Sequence, residues 1–95
     1  MKPENKKMQE FLKANGINAV VRYNAKGSMK HTWHLYGPEM RREFNPKWQK
    51  WTPELAEKLT NLGFKDFDGG VLGKYSGNGG LFSVSVRGHY EFLGE

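Results

Sequence analysis

Apolar residues recur along this chain with two different periods. Met8, Phe11 and Leu12 follow helical spacing, and Asn15-Gly16 stops the run. This predicts a helix over about residues 4–14. Leu55, Leu59 and Leu62 form a second helical stripe, opened by Thr52-Pro53-Glu54 and closed by Gly63. Threonine is a good N-cap, proline suits the first helical position, and glutamate favours the positive end of the helix dipole. The second helix is therefore predicted over about 53–62. Both ends repeat one scheme, Leu12…Gly16-Ile17 and Leu59…Gly63-Phe64. A glycine at C′ between two apolar residues is what a Schellman cap requires.

Elsewhere the period is two. Ile17, Ala19, Val21 and Tyr23 alternate with Asn18, Val20 and Arg22. Asn24-Ala-Lys-Gly-Ser28 is a turn, and Lys30 to Tyr36 reads as the return strand. Trp33 and Leu35 share one of its faces; Thr32, His34 and Tyr36 share the other. After the second helix, Phe64 to Phe67 is a short strand, turned or bulged at Asp68-Gly69-Gly70, with Val71 to Tyr75 as its extension. Leu81 to Arg87 alternates again, with Phe82, Val84 and Val86 on one side. The tail from His89 to Glu95 is expected to add a short strand or to fray.

These elements predict one small α+β domain over residues 1–95 in α-β-β-α-β-β order. An antiparallel sheet of about four strands would carry both helices on one face. The two halves, about 4–37 and 52–88, read as a pseudo-repeat. One sheet face is then left toward solvent. Between the halves lies a basic, aromatic connector, residues 38–51, with Met40, Phe44, Trp48 and Trp51 set among Arg41, Arg42, Lys47 and Lys50. It is too apolar for a free linker and is expected to pack on the domain.

The segment Tyr75-Ser-Gly-Asn-Gly-Gly80 raises the question of a phosphate loop. A Walker loop needs a glycine five residues before its Gly-Lys, followed by serine or threonine. Here Asp68 holds the first position and Tyr75 the last. The glycines precede a period-two run rather than a helix, and Asn78-Gly79 is a hairpin signal. A hairpin turn is the expectation, with an anion-holding nest of amides as the alternative. Gly70-Val-Leu-Gly73 has the outline of a KH-type loop, but it lies in strand-like sequence rather than between helices.

Charge changes the picture more than composition does. The chain of 95 residues carries +5. Residues 1–50 hold eleven Lys/Arg against four Asp/Glu, and residues 51–95 hold four against six. This asymmetry points a basic face at a polyanion or an acidic partner. There is no cysteine, hence no disulfide framework, thiolate site or cysteine nucleophile. No apolar run approaches a membrane span, and the first residues lack the apolar core of a secretory signal. A cytoplasmic setting without membrane attachment is expected.

His31 and His34 are three apart on a predicted strand and face opposite ways, so they make no shared metal site. No metal or other cofactor is expected. The rings Trp33, Tyr36, Trp48, Trp51, Tyr75 and Tyr90 divide between core and surface, with Trp33 and Trp48 assigned to the core. Exposed rings on a sheet stack on unpaired bases while lysine and arginine follow phosphates. The candidate binding residues are Arg22, Lys26, Lys30, His34, Tyr36, Arg41, Arg42, Lys47 and Lys50. The function expected is a non-enzymatic module contacting nucleic acid or a nucleic-acid complex. The alternatives are a protein-interaction module or small inhibitor, of the type mobile elements carry, acting on an acidic protein surface, and a metal-free ribonuclease using His34 or His89 with Arg22 or Arg87.

Overall fold

The computed structural model describes residues 2–37, 51–72 and 82–94. The connector cations Arg41, Arg42, Lys47 and Lys50, Trp48, and the predicted turn at Ser76 to Gly80 lie outside them.

The helices form where the apolar stripes fall. Helix α1 spans Pro3–Ala14 and α2 spans Pro53–Asn61. Thr52 Oγ1 accepts the Leu55 N–H at 3.1 Å, which satisfies one of the orphan donors at the start of α2. Both helices end in Schellman caps. Ile17 N donates to Leu12 O at 2.9 Å and Gly16 N to Lys13 O at 3.0 Å. Phe64 N donates to Leu59 O at 3.1 Å and Gly63 N to Thr60 O at 3.0 Å. The two glycines have φ of 79° and 100°, the left-handed region that excludes most side chains. Each cap encloses an apolar pair, Leu12 with Ile17 and Leu59 with Phe64, all four buried.

Four antiparallel strands follow: β1 Val20–Asn24, β2 Thr32–Tyr36, β3 Lys65–Asp66 and β4 Ser83–Arg87. Their spatial order is β1-β2-β4-β3. The alternation in the sequence decides which face is covered. Val21, Trp33, Leu35 and Val86 are buried in one cluster with Met8 and Leu12 of α1 and Leu55, Ala56 and Leu59 of α2. Both helices therefore bury against the same sheet face. Trp33 is fully buried, and its indole Nε1 donates to Gly88 O at 2.8 Å, so the ring enters the core without an orphaned donor.

Strand β1 is a sheet edge, and α1 lies along it. Asn5 and Gln9, one helical turn apart, accept the outward N–H groups of Tyr23 and Val21, each at 3.0 Å. Two side-chain amides thus take the place of a neighbouring strand and block pairing with another chain.

Three elements differ from expectation. β2 begins at Thr32, because His31 turns left-handed (φ 65°) and its N–H closes the loop on Asn24 O at 2.7 Å. β3 is only two residues long, because the chain folds into a tight turn at once. Gly69 N donates to Asp66 O, and Asp66 N donates to Gly70 O. The tail is neither strand nor frayed. Positive φ at Gly88 and His89 ends the extended run, and Tyr90–Leu93 form a 3-10 helix. That helix is held by ring contacts: Phe92 lies 5.5 Å from Phe11, and Tyr90 stacks on His31 at 3.8 Å.

Candidate nucleic-acid interface

Alternation leaves Arg22, His34, Tyr36, Ser83 and Ser85 on the sheet face turned away from the helices. The strand register arranges them in rows. Arg22 is opposite His34, and His34 is opposite Ser85. In the next row Tyr36 lies between Val20 and Ser83. The rings of His34 and Tyr36 are 5.2 Å apart.

His34 is the centre of this face. Its Nδ1 lies 3.3 Å from Ser85 Oγ and its Nε2 lies 3.5 Å from Ser83 Oγ. Burial, and then the charge of Arg22, hold its pKa below the ordinary 6.5. The imidazole is therefore neutral near pH 7, with one donor and one acceptor nitrogen. One serine donates to the ring and the other accepts from it. Both contacts are long, so they orient the ring without tying it strongly.

The loop between β1 and β2 folds over one end of this face. Thr32 shares the outward side with His34 yet is fully buried, its Oγ1 donating to Met29 O at 2.6 Å. On one side of Met29 is a shallow basic concavity of about 510 Å³, lined by Arg22, Lys26, Ser28, His34 and Ser85 among others. On the other side is a smaller cleft of about 220 Å³, where Trp51, Phe67 and Leu72 supply an apolar lining beside His34, Ser83 and Asp66. Met29, His34 and Ser85 border both.

Of the predicted site residues, the register brings Arg22, His34 and Tyr36 together, and the loop adds Lys26. Lys30 is exposed on the same loop but lines neither hollow. The second histidine considered for catalysis, His89, belongs to the architecture. Its Nε2–H donates to Leu62 O at 2.6 Å, beyond the end of α2, and its ring packs against Phe64 and Phe11 at 4.5 and 4.9 Å. Arg87 is likewise engaged: its Nε donates to Phe67 O.

Sequence reasoning did not single out Phe67, Ser83 or Ser85 for this site. Phe67 is one of two large apolar residues exposed among the described residues, at 41%, beside Val71 at 67%. The serines had a legible signal, since they alternate with Val84 and so had to face outward. Phe67 had none, because its direction is set by the turn that follows β3. No family model, curated protein or solved structure matches this chain. Among the described residues, no helix is long and apolar enough to cross a membrane.

Proposed function

We propose that this domain binds single-stranded nucleic acid through the outer face of its sheet, as a module without catalytic turnover and in a cytoplasmic setting. The observation that carries the reading is the register pairing of Arg22 with His34 on the uncovered face, with Lys26 at the rim of the same concavity. Cations gathered at a hollow beside the half-buried rings of His34 and Tyr36 suit a phosphate backbone with unpaired bases. The serines offer hydroxyls to the same strand, and the long contacts to His34 are readily exchanged for a phosphate oxygen. Arg41, Arg42, Lys47 and Lys50 extend the basic surface in this proposal, since they follow Tyr36 closely in sequence.

Fluorescence anisotropy with short RNA and DNA strands tests it. Affinity should be roughly micromolar, as for sequence-independent contacts. With about three phosphate contacts at a slope of about −0.7 each, a fourfold rise in salt should weaken binding roughly 20-fold. Arg22→Glu should weaken RNA and DNA alike and flatten the salt slope, because a phosphate contact positions the strand without reading its sequence. Absence of binding at low salt would reject the proposal.

A second reading has its own support. Phe67 and Val71 are exposed on a domain of net charge +5, which also suits an acidic protein partner. Its complex would respond less to salt and would survive nuclease treatment. The neutral His34 beside Arg22 is also a base-and-cation pair of the kind used in metal-free RNA cleavage. That reading predicts turnover of an RNA strand, whereas the binding reading predicts none.

A further inference from the structure

The two hollows beside His34 differ in sign. The larger carries Arg22 and Lys26 and no acidic residue among the described residues of its lining. The smaller is walled by Trp51, Phe67 and Leu72, and among the described residues of its lining the charged one is the acidic Asp66, which is 4% exposed. A phosphate is attracted to the first and repelled from the second. A flat, uncharged ring with hydrogen-bond donors on its edge suits the second. At about 220 Å³ the cleft falls below the roughly 300–1,000 Å³ of pockets for whole drug-sized ligands. Its size is that of a single planar group.

Phe67 is held for this task although it is exposed. Its N–H donates to Asp66 Oδ1 at 2.8 Å, and its carbonyl accepts from Arg87 Nε. The turn beneath it is closed by Gly69 N to Asp66 O at 2.8 Å and by Gly70 N to Asp68 Oδ1 at 2.8 Å. The backbone that carries this ring is therefore fixed at both of its peptide groups. An apolar ring kept at the surface by so many bonds is preorganised to be covered by a partner.

We infer that the apolar cleft is a single-base pocket, in which an unpaired nucleobase stacks on Phe67 while the adjoining phosphate lies on Arg22 and Lys26; this rests on the nucleic-acid reading above. Because Met29, His34 and Ser85 border both hollows, one nucleotide spans them. The hydroxyls of Ser83 and Ser85 meet the edge of the base.

The test separates base from phosphate. An octamer of deoxycytidylate and an octamer of the same backbone without bases are compared as unlabelled competitors at pH 7.5. The strand with bases should bind about tenfold more tightly, within the 5- to 150-fold that stacking of one base supplies. Phe67→Ser should abolish that difference and leave the affinity for the baseless strand unchanged. Its exposed position keeps the fold out of the comparison, and the wild-type result stands without it. Equal affinity for the two strands overturns the pocket while leaving the nucleic-acid reading in place. Failure of both strands to bind removes both. Displacement of the labelled strand by an acidic, phenylalanine-bearing peptide but not by deoxycytidylate also overturns the pocket, and assigns the cleft to a protein side chain.

Discussion

Arg22 and His34 face each other across β1 and β2 on the side of the sheet that the helices leave uncovered. The pairing places a fixed cation beside a half-buried imidazole and depresses the pKa of the latter, burial being the larger cause. Any anion that docks on Arg22 also relieves that pressure on His34. The outer face is thus an electrostatic unit rather than a scatter of surface charges.

That depressed pKa makes stability depend on pH in a definite direction. In the unfolded chain His34 titrates near 6.5, and in the folded state it titrates lower. As pH falls below 6.5 the unfolded state takes up the proton first, so the folded state loses ground until pH passes below the folded value. Stability should be level above pH 7 and should decline between about pH 6.5 and the folded pKa. Urea midpoints across pH 7.5 to 5.5 measure this. His34→Gln should make the decline shallower, and an unchanged slope in that variant would contradict the burial of the neutral ring.

The cap of α2 gives a prediction independent of function. Gly63 has φ of 100°, and a Cβ there would meet His89 Nε2 at 3.4 Å, the atom that donates to Leu62 O. Gly63→Ala should destabilise the domain by about 1–2 kcal/mol, the cost of a side chain in left-handed backbone. Thermal or urea denaturation reads it. A neutral effect would mean that the Schellman geometry is absent.

The covered edge of β1 gives another. Gln9→Met keeps the helix and the length of the side chain but removes the amide oxygen that accepts the Val21 N–H. A partly buried donor without its partner should cost about 1 kcal/mol or somewhat more. Asn5→Ala, which removes the acceptor for the Tyr23 N–H, should have a similar effect. Hydrogen exchange at Val21 and Tyr23 should quicken in the matching variant, each reporting its own lost bond.

How far the sequence reached depends on the range of the interactions involved. The caps at Gly16 and Gly63 were legible because a Schellman motif is written within six residues. The face shared by Thr32, His34 and Tyr36 was legible because alternation is a local property. The pairing of Arg22 with His34 was not, since register depends on the length of the loop and on the left-handed His31, which no glycine or asparagine announces. The amides of Asn5 and Gln9 looked like ordinary polar positions of a helix, because the edge they cover lies twelve to eighteen residues further along the chain. Ser83 and Ser85 were legible as outward-facing, but their meeting with His34 spans about fifty residues and appears only once β4 pairs with β2. Phe67 escaped for a related reason: its exposure follows from the bonds of a turn, not from the pattern of the strand before it.

The most direct test of the central claim is a map of amide and side-chain NMR shifts on adding a short single-stranded oligonucleotide at low salt. The account predicts that changes gather on one face: Arg22, His34, Tyr36, Ser83 and Ser85, with Lys26 from the loop and Phe67 from the turn after β3. They should fade together as salt is raised. Shifts centred on the exposed sides of α1 and α2, or no shifts at all with the protein folded, would contradict it.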